Sequence, residues 1–143
     1  MLKVKIKKLK SNAIVPGYAH HNDAGVDFFS CEKYFLKPGE RALVSTGIAI
    51  EFSDGYELQI RPRSGLAIKK GIGILNSPGT IDAGYRGEIG IILINYSQEN
   101  FEINPGDKIA QGVFNKFEKA EIEIVEELNG TSREQKGFGS SGN

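Results

Sequence analysis

The stretch NSPGTIDAGYRGEIGIILIN, residues 76–95, sets two kinds of sequence side by side. Its second half, EIGIILIN, is rich in β-branched residues and reads as a buried strand. Its first half is crowded with proline, glycine and aspartate, which favour turns because they preset or tolerate turn dihedrals. Outward from this stretch the same alternation recurs. Leu2, Val4 and Ile6 alternate with Lys3, Lys5 and Lys7, giving one apolar and one wet face. Leu43, Ile48 and Ile50 lie in a second strand-like run, and Leu58 and Ile60 alternate in a third. The third run follows Asp54-Gly55, a hairpin signal. AEIEIVEEL sets Ile122, Ile124 and Leu128 among glutamates. Pro38-Gly39, Pro78-Gly79 and Pro105-Gly106 punctuate these runs. KPGERALVSTGIAI and NPGDKIAQGVFNKF share a turn, a charged pair and a strand, and read as two similar β-corners. The whole predicts an all-β sandwich, jelly roll or barrel.

One short helix interrupts the pattern. Ser64 is the expected N-cap, Leu66, Ala67 and Ile68 the body, and Gly71 the stop. Two turns are too few for an isolated helix, so packing must hold it. The 143 residues suffice for one core. No linker divides them, and composition shifts only beyond about residue 128. Lys plus Arg (18) balances Asp plus Glu (18), which argues against a protein that wraps nucleic acid. The single cysteine, Cys31, excludes an internal disulfide and suits a buried thiol in a reducing compartment. The opening MLKVKIKKLK is cationic but has no apolar h-region. The longest aliphatic run, near residues 89–94, is too short to span a bilayer. A cytoplasmic protein with no membrane partner is expected.

Several clusters carry chemistry. In RPRSGLA, residues 61–67, free N–H groups of a first helical turn beside Gly65, with the Arg63 guanidinium, make a phosphate site. A capped helix with a surface arginine would use the same residues. Around Asp82, Gly84, Tyr85 and Gly87, a carboxylate beside an aromatic ring could act as a general base near a sugar. An ordinary hairpin turn would also use them. DAGVDFFS, residues 23–30, sets Asp23 and Asp27 around a glycine, where Mg²⁺ could be held through water, or where a polar loop enters a strand. His20-His21 lack further ligands for zinc. The tail GFGSSG offers Phe138 for stacking on a base and Ser140 and Ser141 as donors, or is simply a frayed end.

Taken in order, DAGVDFF, PRSGLA, NSPGTIDAGYRGEIG, GDKIAQ and GFGSSG resemble the five motifs of the trimeric deoxyuridine triphosphatase (dUTPase) family. The match covers nearly the whole chain. The resemblance implies a jelly-roll-like β-barrel with one short helix over residues 1–128. Residues 129–143 would form a flexible C-terminal arm, exchanged in a homotrimer, that closes over the active site. Each site would take residues from all three chains. The implied reaction converts dUTP and water to dUMP and pyrophosphate with Mg²⁺, which limits uracil in DNA and supplies dUMP for dTTP synthesis. Asp82 matches the carboxylate that orients and deprotonates water for in-line attack on the α-phosphorus. Tyr85 matches the residue against the deoxyribose, where a ring leaves no room for a 2′-hydroxyl. Asn76 matches the side chain that bonds uracil, and a hairpin from Thr80 through Ile81 to Tyr85 would complete the base pocket. Arg63, Ser64 and Gly65 match the phosphate clamp, and Gln111 a further phosphate contact. Asp27 matches the acid linked to the metal through water. In the arm, Arg133 matches a γ-phosphate arginine, Phe138 the ring on uracil, and Gly139, Ser140 and Ser141 the phosphate-binding tail.

Two places depart from the family pattern. Lys108 stands where arginine is usual. Glu134 and Lys136 stand where the arm usually carries glycines, and a side chain at a left-handed position there costs about 1 kcal/mol. Two other functions use the same fold. A dCTP deaminase would need an added acid–base carboxylate at the pyrimidine, which is not evident beside IDAGYRG. A non-catalytic dUTP-binding regulatory trimer would be expected to lack Asp82.

Overall fold

The structure, a computed structural model, describes residues 1–138. Its elements run β1 (Lys5–Lys8), β2 (Val26–Phe29), β3 (Tyr34–Leu36), β4 (Arg41–Ser45), β5 (Ile48–Glu51), β6 (Tyr56–Arg61), α1 (Ser64–Lys70), β7 (Ile72–Ile74), β8 (Gly79–Asp82), β9 (Gly90–Asn95), β10 (Phe101–Ile103) and β11 (Lys108–Lys116). The protein is thus mostly β with one short helix, as its sequence predicts.

Every strand pairing is antiparallel. A four-stranded sheet runs β2-β11-β6-β8 and a three-stranded sheet β4-β9-β7, with the pairs β1-β5 and β10-β3 beside them. One cluster joins Phe28, Leu58, Ile60 and Ala110 of the first sheet to Val44, Ile72, Ile74, Ile91 and Leu93 of the second. Strand β9 is not uniformly buried, as its composition suggests. Ile91, Leu93 and Asn95 face inward while Ile92 and Ile94 are half-buried, because the pleat gives each strand two faces. Cys31 is buried.

The two β-corners are alike in detail. In one, the Lys37 N–H donates to the Glu40 carboxylate at 2.8 Å; in the other, the Asn104 N–H donates to Asp107 at 2.8 Å. Both turns also close through a backbone bond of 3.0 Å between the same positions. The acid after each Pro-Gly is therefore the turn's own cap.

Four local expectations need correction. Asp54-Gly55 makes a turn but no hairpin, since β5 pairs with β1 whereas β6 pairs with β8 and β11. The segment from Thr80 to Tyr85 is likewise no hairpin, because β8 and β9 lie in different sheets. Ser64 is the first helical residue and not the N-cap. Arg63 holds that place in extended conformation with no side-chain bond, and its carbonyl accepts the first helical N–H, from Ala67, at 3.0 Å. The stop at Gly71 is as expected, with φ of 63°. Lastly, AEIEIVEEL forms no strand: Ile122 is 89% and Ile124 97% exposed. An alternating segment becomes a strand only against a partner edge, and none meets it among the described residues. Among the described residues no helix is long and apolar enough to cross a membrane.

Asn95 gives the fold a polar hub that local pattern does not announce. It is fully buried. Its amide donates to the Leu36 carbonyl at 3.1 Å and the Glu99 carbonyl at 2.7 Å. Its oxygen accepts the Ser97 N–H at 2.9 Å and hydroxyl at 2.7 Å. Asn95→Ala should therefore cost about 2–3 kcal/mol, by orphaning buried groups. Urea unfolding should show a lowered midpoint with an unchanged slope; an unchanged midpoint contradicts the hub.

Candidate active site

Strand β6 organises the functional residues. Its residues 57–60 pair with β8, where Glu57 faces Asp82 and Gln59 faces Thr80. Its last residue, Arg61, faces Gln111 on β11. Gln111 in turn faces Asp27 on β2. The chain then leaves β6 through Pro62 and enters α1 at Arg63.

Two depressions result. A cleft of about 560 Å³ gathers Asp27, Arg63, Ser64, Gly65 and Gln111, five of the residues singled out from sequence. Lys108, Arg61, His20 and Asp23 also line it. Asp27 is mostly buried and sits between two cations: Arg63 Nε lies 3.3 Å from Oδ1, and Lys108 Nζ 2.7 Å from Oδ2. Lys108 also lies 5.9 Å over the Phe29 ring. Gln111 is held from two sides. Its amide donates to the Pro62 carbonyl at 2.9 Å. Its Oε1 lies 2.5 Å from where a Cβ on residue 25 would stand, so a side chain there would push the carboxamide aside. Asp23 caps its own turn by accepting the His20 N–H at 2.8 Å.

The second depression, about 370 Å³, gathers Thr80, Ile81, Asp82 and Tyr85 with Ser45 and Glu88. Asp82 is exposed at the end of β8, and its carbonyl accepts the Tyr85 N–H at 3.0 Å. The Tyr85 hydroxyl donates to the Glu88 carbonyl at 2.9 Å. Behind this groove Ser45 donates to the Glu88 carboxylate and accepts from Lys10 at 2.9 Å. Lys10 also pairs with Glu32. That hydrogen bond, helped by one from Tyr34, holds the Glu32 carboxyl below its ordinary range and raises Lys10. Burial pushes the Tyr34 hydroxyl up. No local signal marks Ser45 and Glu88, which meet across 43 residues of chain.

Asn76 lies just before β8, outside the lining of both depressions, with its carboxamide packed over Gly79. In the arm Arg133 and Phe138 line neither depression, and Phe138 is fully exposed. Gly139, Ser140 and Ser141 lie outside the described residues. The arm turn closes on itself. The Thr131 N–H donates to the Glu134 carboxylate at 2.9 Å, and the Glu134 N–H to the Thr131 hydroxyl at 3.1 Å. Glu134 has a φ of 45°, so it occupies a left-handed position without being glycine. This reciprocal cap offsets a strain of about 1 kcal/mol.

Fold and clefts together define a small antiparallel β-protein with a cleft of small positive excess and a separate carboxylate groove. The dUTPase family model matches residues 11–142, and the chain belongs to the dUTPase family. The deoxyuridine 5'-triphosphate nucleotidohydrolase of Clostridium tetani is 56% identical over 139 residues, covering 97% of this chain and 96% of that one. Its counterpart from Nautilia profundicola is 55% identical, with 99% of each chain covered. Among solved structures, a variant dUTPase of Staphylococcus bacteriophage 80alpha with dUpNHpp superposes with a TM-score of 0.90 at 31% identity, covering 99% of each chain. A variant dUTPase from phage phi11 of S. aureus, described with a structural Mg(II) ion, matches with a TM-score of 0.83 at 30% identity, covering 90% of this chain and 99% of that one.

The close fit of Gln111 against Gly25 makes a direct test of the cleft as an anion site. Gly25→Ala should displace Gln111 and weaken binding of inorganic pyrophosphate by about tenfold, the worth of one hydrogen bond to a charged group. Calorimetric titration measures it, and unchanged affinity contradicts this role for the cleft.

Proposed function

We propose that the chain hydrolyses dUTP to dUMP and pyrophosphate at sites shared between the subunits of a homotrimer. The observation that carries this reading is a distance. Asp82 and Gln111 pair with β6 four residues apart and on opposite edges. That is about 13 Å along the sheet and about 10 Å across it. Arg63 reaches further still from β8, toward Asp27 on β2. A water attacking the α-phosphorus must sit about 3–3.5 Å from it, and the clamp must touch the same triphosphate. The two sets line separate depressions with no lining residue in common, and two chains meeting at those depressions would bring them together.

In this arrangement the groove of one subunit takes the nucleoside. Thr80 and Ile81 offer backbone groups to uracil, with Asn76 beside them, and Tyr85 packs against the deoxyribose. Asp82 accepts the proton of the attacking water. The cleft of a neighbour holds the phosphates through Arg63, Ser64, Gly65 and Gln111. Positioning and charge neutralisation then supply most of the rate. Arg133, Phe138, Gly139, Ser140 and Ser141 close over the site from the third arm, with residues 129–143 acting as the lid of the 1–128 domain.

Mg²⁺ fits this cleft as a companion of the triphosphate. Among the described residues no cluster of three or more His, Cys, Asp or Glu side chains could cage a metal. Both Asp27 oxygens already face cations, which leaves a contact through water, the mode that suits a reluctantly dehydrated ion. When bound, Mg²⁺ neutralises charge on the phosphate oxygens; the protein's part is to orient it through Asp27.

Charge and shape also support arm exchange. β1 pairs only with β5 among the described strands, so its other edge is free. Beside it an apolar groove of about 340 Å³ is lined by Leu2, Val4, Ile6 and Tyr18. The exposed Ile122 and Ile124 suit such a groove, and the intervening glutamates suit Lys3, Lys5 and Lys7. A cytoplasmic location accords with this role in nucleotide metabolism.

The test is pyrophosphate release from dUTP, dTTP, dCTP and UTP with Mg²⁺, beside the native mass. Turnover of dUTP alone is expected, from a particle of three times the 15.6 kDa chain mass. Asp82→Asn should lose turnover by about 10³-fold and still bind nucleotide. Ammonia from dCTP would mark the deaminase function instead, and full activity in Asp82→Asn would remove that residue from water activation.

A further inference from the structure

Tyr85 is the one aromatic side chain among the described residues lining the groove, and it is 46% exposed. An exposed ring has little packing to fix it. A ring can exclude a hydroxyl group only if it cannot yield. Three features of the next three residues restrain this one. The Tyr85 hydroxyl donates to the Glu88 carbonyl at 2.9 Å. Glu88 is itself anchored, since its carboxylate accepts from Ser45 and from the Gly47 N–H at 2.8 Å. The ring lies directly against Gly87. A Cβ on residue 87 would stand 2.6 Å from Cζ and 3.0 Å from Cε2, and closer still to the hydroxyl oxygen. Gly87 is not among the residues with left-handed φ, so its backbone would accept alanine. What forbids a side chain there is the tyrosine ring.

We infer that Gly87 is a specificity-determining positioning residue: its missing side chain lets Tyr85 lie against the turn, hydroxyl tied to Glu88, as a fixed wall at the sugar. This rests on the reading that Tyr85 packs against the deoxyribose. A Cβ at residue 87 displaces the ring and breaks its tie to Glu88. The wall then yields, so a nucleotide with a 2′-hydroxyl gains room while dUTP loses a contact. Both changes lower the preference for dUTP over UTP.

The experiment compares kcat/KM for dUTP and UTP in the full chain and in Gly87→Ala, Tyr85→Ala and Glu88→Ala, with thermal unfolding to verify folding. Gly87→Ala should lower the dUTP-to-UTP ratio by about tenfold, and Tyr85→Ala by at least as much. Glu88→Ala, which unties the anchor, should lower it severalfold and stands in if Gly87→Ala does not fold. A merely structural role for Gly87 would lower both rates together and leave the ratio unmoved. An unchanged ratio in Gly87→Ala, with a lowered one in Tyr85→Ala, overturns the inference and leaves the sugar contact standing. An unchanged ratio in Tyr85→Ala removes the sugar contact and the inference with it.

Discussion

Strand β6 hydrogen-bonds to β8 along one edge and to β11 along the other, and the register of those two ladders sets the separation of Asp82 from Gln111. Backbone pairing fixes such distances to within a fraction of a residue, because a slip of one position turns every side chain to the other face. Leu58 and Ile60 are buried, so a slip of β6 would expose them and is strongly disfavoured. The same ladder that buries the core therefore holds Asp82 away from Arg63 and Gln111. On the proposed function each half needs the other, and catalysis would be coupled to assembly.

Charge in the larger cleft follows a similar logic. Arg61, Arg63 and Lys108 face Asp23 and Asp27 there, a small positive excess. Arg61 is restrained by two bonds to Gln59, at 3.2 and 2.7 Å. A mostly buried carboxylate such as Asp27 is costly to leave unpaired, and its two cations offset that cost. A triphosphate brings more negative charge than this excess can balance. On the proposed function a cation arriving with it would resolve the mismatch, and Lys108 would still pair Asp27 once Arg63 turned to phosphate. The lysine at a position where arginine is usual keeps that pairing.

Much of this was legible in the sequence, and the remainder was not for identifiable reasons. Strand alternation at Leu58 and Ile60, the Pro-Gly corners and the Gly71 stop are local signals, and local physics decides them. Asp54-Gly55 signalled a hairpin correctly as a turn, but which sheet the next strand joins is a tertiary choice. Ser64 has the chemistry of a cap, yet helix entry is set by where the chain leaves β6, one residue earlier. Ser45 and Glu88 meet across a long stretch of chain, and Asn95 joins its local turn at Ser97 and Glu99 to the distant Leu36 carbonyl, a link that no local pattern marks. The alternation of Ile122 and Ile124 describes a strand that needs a partner edge. In the site, motif wording grouped the residues by sequence order, while the fold placed Asp27, Arg63, Ser64, Gly65 and Gln111 in one depression, Thr80, Ile81, Asp82 and Tyr85 in another, and Asn76, Arg133 and Phe138 in neither.

The arm shows how a local departure can be absorbed. Glu134 takes a left-handed conformation where glycine is usual, and its carboxylate and N–H tie back to Thr131. The central claim, that Asp82 of one subunit works with Arg63 of another, can be tested by complementation. Asp82→Asn and Arg63→Ala chains, each inactive alone, are unfolded together, refolded as mixed trimers and assayed for pyrophosphate release from dUTP. In a mixed trimer some sites pair an intact Asp82 with an intact Arg63 from the next chain, so about a quarter of wild-type activity should return. Were both residues needed from the same chain, no mixture would hold a working site, and absence of recovery would contradict the account.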